Sequence, residues 1–264
     1  MTEVTTAPPR GGLALGHRTQ ANLLSIAGVV SIFLVWWIGA GATRFIPPLT
    51  EVLAELPEFL GDSATWTAVG ATTQRVLISL ALAVAFGVCA AAIMTRSVFW
   101  GRVVSVYVST GMAIPSTITA LVALFIFQKD PAGATFVVAV TTAPFIALML
   151  HEGLKHLDHG LAETAEVYRL SAVDRLRHVV VPQILPYFLS AIRNEYAHAW
   201  KIVVVAELFL VSSGMGWQFA QAFDRFHLIT VMLWLIVFVA ILLVSEYGVI
   251  RPLERRVSRW REQK

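Results

Sequence analysis

The sequence contains little charge and almost no cysteine. Charged residues make up only 14% of the 264 residues, whereas hydrophobic residues make up 57%, well above the apolar share of a soluble domain. This composition excludes an ordinary water-soluble enzyme or binding module. The single cysteine, Cys89, excludes an intrachain disulfide, and its place within an apolar run is typical of a packing residue.

Two motifs of catalytic chains are also missing. The sequence has no Gly-x-x-x-x-Gly-Lys-Ser/Thr phosphate loop, so any nucleotide must be bound by another chain. It has no His-Glu-x-x-His zinc motif, and its methionines show no spacing that suggests a metal path. An intramembrane enzyme would use His198 and Glu195 as acid and base, but no nucleophile accompanies them. The sequence therefore predicts no catalytic residue, metal site or cofactor on this chain.

Long apolar runs make up most of the sequence. Six of them approach the roughly 20 residues that cross about 30 Å of hydrocarbon as a helix. They are approximately Leu24–Thr43, Val76–Met94, Val103–Phe127, Ala134–Leu150, Pro186–Leu210 and Ile229–Ile250. The predicted fold class is an all-α polytopic membrane protein with about six transmembrane helices. Pro115 and Pro144 lie within runs, where each removes a backbone donor and favours a kink.

The lysines and arginines indicate the orientation. If both termini are cytoplasmic, most basic residues fall on cytoplasmic segments, and only Arg44, Lys129 and Arg225 fall on outside loops. This distribution follows the positive-inside pattern. The net charge of +3 then reflects topology and anionic lipid rather than nucleic acid, since a nucleic-acid binder collects its basic residues on one surface.

The chain divides into one membrane domain and two tails. Residues 1–20 are polar and include Pro8, Pro9, Gly11 and Gly12, which predicts a disordered cytosolic tail rather than a cleaved signal. Residues 21–250 form the transmembrane domain, with a cytosolic loop at about 155–183, and residues 251–264 form a basic cytosolic tail. In the first outside loop, Thr50 is predicted to cap a short helix with an apolar face made by Val52, Leu53 and Leu56.

The 155–183 loop is too charged to enter lipid and too patterned for a linker. Glu163 is predicted to begin a short helix that includes Ala165 and Tyr168. The Ser-x-x-Asp spacing of Ser171 and Asp174 fits a capping box at the start of a second helix. Two short helices that meet at a bend form a protruding surface, which in a membrane protein favours docking of a cytosolic partner.

The fifth apolar run contains an unusual set of ionisable residues. Such residues rarely face lipid, because an unpaired charge at membrane depth costs at least a few kcal/mol. Glu195, His198 and Lys201 are three residues apart, so Glu195 and Lys201 should each reach His198 on one helix face. Either Lys201 faces a pathway and attracts an anion, or Lys201 and Glu207 pair with neighbouring spans and stabilise the bundle. The candidates for a translocation path are Glu195, His198, Lys201, Glu207, Ser213 and Pro115.

The polar stretch after Glu207 favours an irregular backbone. It contains Ser212, Ser213, Gly214 and Gly216, whose freed backbone groups need partners within a membrane. Such a stretch is typical of a segment that re-enters the membrane, and we interpret it as a candidate outer gate.

Several of these segments, in order and correctly spaced, resemble one transporter family. The loop resembles the EAA loop of ABC-importer permeases, whose pattern is Glu-Ala-Ala, three residues, Gly, and then a hydrophobic-x-hydrophobic-Pro ending. This chain has Glu163-Thr164-Ala165, Arg169 in place of the glycine, and Val179-Val180-Val181-Pro182. Other segments that carry the resemblance are Ile46–Leu53, Ala113–Ser116, Ala199–Glu207, Ser212–Gly216 and Glu246–Arg256. Within the family the chain looks most like the nitrate, taurine and aliphatic-sulfonate permeases.

The resemblance implies a permease subunit of an ATP-driven importer in the bacterial cytoplasmic (inner) membrane. It implies a homodimer or heterodimer of permeases, two cytosolic ATPase subunits that hold ATP-Mg, and an extracytoplasmic protein that delivers a small, anionic solute. The coupling residues that it implies are Glu163, Thr164, Ala165, Tyr168, Arg169, Ser171, Asp174 and Pro182. Without glycine, Arg169 is expected to adopt another local conformation while the Ser171 cap preserves the bend. A stand-alone channel or ion-coupled secondary transporter is the alternative, although it would not explain the loop.

Overall fold

The computed structural model describes residues 17–43, 45–128 and 130–252, and every regular element in these ranges is a helix. The predicted all-α polytopic fold class is thereby confirmed. The helices are α1 His17–Ala42, α2 Leu49–Gly61, α3 Ser63–Arg96, α4 Val98–Ala113, α5 Ser116–Phe127, α6 Pro131–Lys155, α7 His159–Val167, α8 Ala172–Arg175, α9 Val181–Leu210, α10 Met215–Asp224 and α11 Leu228–Ser245. The tails predicted at residues 1–20 and 251–264 lie almost entirely outside the described residues.

The chain forms two units, residues 1–54 and residues 55–264. In the first unit, the indole of Trp36 donates to the carbonyl of Pro47 at 3.1 Å and fixes the turn after α1. Thr50 lies inside α2 rather than at its cap, so that prediction is wrong: the helix already begins at Leu49. The three residues predicted to share its apolar face, Val52, Leu53 and Leu56, do lie on α2, where Val52 is buried and Leu53 is half exposed.

Helices α3, α6 and α9 form the centre of the second unit. A stripe of small residues at every fourth position of α3, namely Ser79, Ala83, Gly87 and Ala91, is buried. A Cβ on Gly87 would lie 2.7 Å from Cγ2 of Ile146, so the glycine allows α6 to pack closely. Trp200 of α9 is almost fully buried in the largest core cluster.

Among the described residues, three helical segments are long and apolar enough to cross a membrane, namely Ser63–Arg96, Pro131–Lys155 and Leu228–Ile250. Two bent pairs, α4 with α5 and Ala172–Leu210 with α10, raise the number to as many as five. The third predicted span, Val103–Phe127, is therefore not one helix, because the chain breaks by 97° between α4 and α5. The second begins earlier than predicted, since the carboxylate of Asp62 caps α3 by accepting from the amide of Ala64.

Two π-helical turns each precede a proline. The turn Leu176–Val180 connects α8 to α9, and the turn Glu246–Ile250 extends α11. Each ends two residues before a proline, Pro182 or Pro252. Proline has no N–H for the usual bond to the fourth preceding carbonyl, and a widened turn accommodates that loss without ending the helix.

Candidate functional site

The 155–183 loop forms two short helices, as predicted, but the first starts earlier. Helix α7 begins at His159 rather than at Glu163, because Asp158 caps it by accepting from the amide of Gly160 at 2.8 Å. Tyr168 follows the helix instead of belonging to it. At α8 the hydroxyl of Ser171 accepts from the amide of Asp174 at 3.2 Å and donates to its carboxylate at 2.6 Å. The predicted cap of the second helix is therefore present.

Arg169 adopts the left-handed conformation that a glycine would take at this position, with φ of +50°. Its amide donates to the carbonyl of Glu166 and the amide of Leu170 donates to that of Ala165, both at 3.0 Å. These two bonds define a Schellman motif, which ends a helix through a left-handed residue. The expected alternative conformation of Arg169 is thus wrong, because the hydrogen bonds of the bend outweigh the steric cost of its Cβ, about 1–2 kcal/mol.

Further contacts stabilise the loop against itself. Arg175 of α8 pairs with Glu166 of α7 at 3.5 Å. The side chain of Gln183, next to Pro182 at the start of α9, accepts from the amide of Asp158 at 2.8 Å and so joins the two ends of the loop. Ala165 is buried under the bend, whereas Glu163 and Thr164 are exposed.

The exposed surface of the loop is apolar at its most prominent points. Val167, Tyr168 and Val173 are 80%, 75% and 72% exposed. Leu176 and Leu170 are also exposed. The loop therefore presents large apolar side chains on a backbone that its own hydrogen bonds hold in shape.

Glu207 is completely buried near the end of α9, and each group that faces its carboxylate is a donor. Arg75 of α3 donates to Oε1 at 2.5 Å, while the hydroxyl of Thr72 and the amide of Gly216 donate to Oε2, each at 2.9 Å. The amide of Met215 in turn donates to the Thr72 hydroxyl at 2.8 Å. One carboxylate therefore joins α3, α9 and the start of α10. We call these five residues the Glu207 cluster.

Ser213 lies in the break between α9 and α10 and is held by the same arginine. Arg75 donates to the Ser213 carbonyl at 3.1 Å and to its hydroxyl at 2.6 Å. Gly214 has φ of +99°, and a Cβ there would collide with the Glu207 carboxylate. The irregular polar stretch predicted after Glu207 is therefore present, and its backbone is positioned by a buried ion pair.

The other ionisable residues of α9 form two pairs and leave Lys201 apart. Glu195 is buried and lies 3.3 Å from Nδ1 of His198, whose ring also packs edge-on against Phe145. Arg193 pairs with Glu246 in the π turn after α11 at 2.7 Å. Lys201 is exposed and does not reach His198, and no acidic partner faces it among the described residues. The predicted Glu195–His198 contact is thus confirmed, and the Lys201–His198 contact is wrong.

Lys201 lines a groove of about 290 Å³ between α9, α10 and α11. The other lining residues are apolar, among them Met215, Phe219, Trp234, Leu235 and Phe238. Pro115 is remote from this chain segment in sequence and lies at the 97° break between α4 and α5, where it precedes the first residue of α5.

Sequence reasoning missed the partners of Glu207. Arg75 and Thr72 lie 132 and 135 residues away from it along the chain, so no local spacing connects them. Two signals were available: an arginine at the edge of an apolar run requires a counter-ion, and so does a glutamate inside one. These signals predict that each residue needs a partner, but not that the two are partners of each other.

Comparison with known proteins matches residues 83–259 to the family described as "Binding-protein-dependent transport system inner membrane component". Three similar curated proteins are transport permeases. The taurine transport system permease protein TauC of Escherichia coli K12 is 23% identical over 246 residues, which are 90% of this chain and 89% of TauC. The putative aliphatic sulfonates transport permease protein SsuC of the same strain is 23% identical, covering 88% and 89%. The bicarbonate transport system permease protein CmpB of Synechococcus elongatus is 24% identical, covering 85% and 86%.

Solved structures show the same fold. A chain of the MetNI methionine ABC transporter in an inward-facing conformation matches with a TM-score of 0.61 and 18% identity, covering 80% of this chain and 98% of that one. An amino acid ABC transporter with histidines matches with a TM-score of 0.60 and 18% identity, covering 79% and 98%. Because the family match extends over more than half of the sequence, the chain belongs to the binding-protein-dependent transport system inner membrane components, the permease subunits of ABC importers.

Proposed function

We propose that this permease couples transport of a small anion to ATP hydrolysis on a separate cytosolic ATPase that docks on the 155–183 loop. The observation that supports this docking role is the combination of shape and exposure in the loop. Val167, Tyr168 and Val173 project large apolar surfaces that only a partner would remove from water. The Schellman bend at Arg169 and the Ser171 cap keep these side chains in one arrangement before the partner binds.

The residues of the loop take different roles in this proposal. Tyr168 and Arg169 contact the ATPase directly, because both are exposed at the bend, and Glu163 and Thr164 flank that contact. Ala165, Ser171, Asp174 and Pro182 act indirectly by shaping the two helices and their junction with α9. ATP and Mg²⁺ are held by the partner, since this sequence has no phosphate loop.

The proposed assembly contains two permease chains, two ATPases and a binding protein that delivers solute from outside. The permease pair is formed by two copies of this chain or by this chain with a second permease. The chain is oriented with both termini in the cytoplasm of a bacterial cell, as the distribution of its basic residues favours. This orientation places the 155–183 loop on the side where ATP is available.

The proposed solute is an anion because of Lys201 and of the relatives. Taurine, aliphatic sulfonates and bicarbonate, the solutes in the relatives' names, each carry a negatively charged group. Lys201 is exposed on α9 with no acidic partner among the described residues, so it is available to an anion in a water-filled path. Glu195 and Glu207 are already paired, and with His198, Ser213 and Pro115 they shape the path rather than bind the solute.

Replacing the exposed apolar side chains of the loop tests the docking role. The double variant Val167→Asp with Tyr168→Asp removes little packing within the chain, since both side chains are largely exposed. We expect loss of ATPase co-purification and of uptake, with unchanged membrane level and unfolding temperature. Phe223→Asp, a similarly exposed position at the end of α10, is the matched control and should keep the ATPase bound.

Two outcomes would refute the proposal. One is normal uptake with a bound ATPase in the double variant. The other is movement of solute down its gradient through vesicles that contain this chain alone, which would instead identify a channel or an ion-coupled carrier.

A further inference from the structure

A second groove lies where the membrane-spanning helices meet the 155–183 loop. It is formed by α3, α6, α9 and the π turn that precedes α9, and it has a volume of about 370 Å³. We call it the loop-side groove. All of its lining residues are apolar, among them Val88, Ala92, Leu154, Val181 and Phe188. Such side chains offer water no hydrogen-bonding partner, so the favoured occupant is an apolar chain.

The loop-side groove is about as long as one leaflet of a bilayer is deep. Its lining residues extend from Leu176 to Phe188, which are twelve residues apart or about 18 Å along the helix axis. Half of a hydrocarbon core about 30 Å thick is about 15 Å. The spans α3 and α6 end beside the groove, at Arg96 and Lys155, so it lies in the leaflet at this end of the bundle. A lipid acyl chain therefore matches the groove in both length and chemistry.

Two arginines extend the lining faces of the groove towards the bilayer surface. Arg96 follows Ala92 by four residues on α3, and Arg177 precedes Val181 by four residues in the π turn. Residues four apart lie on the same helix face, so each arginine lies about one turn beyond a lining residue. Both arginines are exposed, and neither forms an ion pair within the described part of the chain.

Two carboxylates near the lining residues face other groups. Asp174 lies three residues before Arg177, but its carboxylate accepts from the Ser171 hydroxyl at 2.6 Å. Glu152 of α6 pairs with Lys155 at 2.9 Å. The two arginines therefore leave positive charge at the mouth of the groove, where an anionic group would gain charge-assisted hydrogen bonds.

We propose that the loop-side groove binds an anionic phospholipid of the surrounding bilayer. One acyl chain lies along Phe188, Ala92 and Leu154, and the headgroup phosphate lies between Arg96 and Arg177. The lipid contacts the spans α3 and α6 and also the π turn through which the 155–183 loop continues into α9. It thus stabilises the junction between the loop and the bundle. The proposal depends neither on the ATPase nor on the transported solute.

Lipid retention by the full chain tests the proposal. The purified chain is delipidated in detergent and titrated with dioleoylphosphatidylglycerol or dioleoylphosphatidylcholine, and bound lipid is counted by native mass spectrometry. We expect the first phosphatidylglycerol to bind about thirtyfold more tightly than phosphatidylcholine, since each basic residue near a membrane surface contributes about fivefold. Glycerol 3-phosphate has the charge without the acyl chains and should not bind detectably, which distinguishes a lipid from a free phosphate.

Charge variants test the contacts to the headgroup. Arg96→Gln and Arg177→Gln should each weaken the first phosphatidylglycerol by about fivefold and leave phosphatidylcholine nearly unchanged. Arg102→Gln removes a positive charge from the exposed start of α4, which does not line the groove, and is the matched control. Its affinity for both lipids should equal that of the wild type.

A filled groove tests the contact to the acyl chain. Ala92 is an exposed lining residue, so Ala92→Phe places a ring in the groove without entering the core. It should weaken the first site for both lipids by at least about tenfold, because several methylenes lose their apolar contact. Ala81→Phe changes an exposed position of the same helix outside the groove and is the matched control, with retention unchanged.

Three results would overturn the proposal. They are equal affinity for the two lipids, effects of Arg96→Gln and Arg177→Gln no larger than that of Arg102→Gln, and unchanged retention in Ala92→Phe. A groove that is covered by a second copy of the chain would show as a changed oligomeric state in Ala92→Phe with lipid affinity unchanged, which also overturns the proposal. None of these measurements involves ATPase co-purification, so the docking proposal stands or fails separately.

Discussion

The buried Glu207 carboxylate should be highly sensitive to substitution. Its Oε1 faces Arg75 and its Oε2 faces the Thr72 hydroxyl and the Gly216 amide, all of them donors. In Glu207→Gln one oxygen becomes an NH₂ group, which must then point at a donor. The guanidinium of Arg75, only 12% exposed, would also lose its counter-ion. Removing one partner of a buried pair costs about 3–5 kcal/mol, so the unfolding temperature should fall by roughly 10 °C.

Thermal unfolding of the purified chain in detergent, followed by circular dichroism, measures this effect. The matched control is Glu152→Gln, which breaks the 2.9 Å pair with Lys155 while both side chains are about half exposed. An exposed pair is worth about 1 kcal/mol or less, so its midpoint should move by only a few degrees. The double variant Glu207→Gln with Arg75→Gln should cost less than the sum of the two single variants, because they share one interaction.

Glu207→Gln should lower the unfolding midpoint by more degrees than Glu152→Gln. Equal shifts in the two single variants would refute the view that the Glu207 cluster holds α3, α9 and α10 together. Strict additivity in the double variant would show that Arg75 and Glu207 do not act as a pair.

Three further variants test the local backbone. Arg169→Gly should stabilise the loop by about 1 kcal/mol, since glycine adopts the left-handed conformation without the Cβ cost. Faster cleavage of the loop than in the wild type during limited proteolysis would contradict this. Gly214→Ala should lower the unfolding temperature, because its Cβ would meet the Glu207 carboxylate, whereas Gly70→Ala, an open helical site, should raise it slightly. Ser171→Ala should cost about 1 kcal/mol of cap energy and increase hydrogen exchange in α8; unchanged exchange would argue against the cap.

Much of the architecture could be predicted from the sequence, and the errors have a common cause. Apolar runs and the Ser171 spacing indicate helices and a cap because both depend on neighbours within a few residues. Pro115 indicated a kink, but the 97° angle of the break and the early start of α7 depend on backbone angles and on a capping carboxylate that the sequence patterns do not contain. Arg169 shows the limit most clearly, since residue preference alone argues against a left-handed arginine.

In the candidate site, local contacts could be predicted from the sequence and contacts between distant segments could not. The Glu195–His198 contact follows from a spacing of three on a helix and was predictable. The Glu207 cluster and the groove beside Lys201 depend on which helices pack together, and neither spacing nor composition contains that information. The long-range partners of buried charges could therefore be identified only from the fold.

The stretch Ala172–Leu210 is helical without a break from the Ser171 cap to the residues that follow Glu207. At about 1.5 Å per residue it is roughly 58 Å long, so a tilt of about 5° around its midpoint displaces each end by about 2.5 Å. Hydrogen bonds near 2.9 Å do not survive such a displacement. If the stretch tilts as one body, movement of the loop at Ser171 would therefore break hydrogen bonds of the Glu207 cluster at the other end.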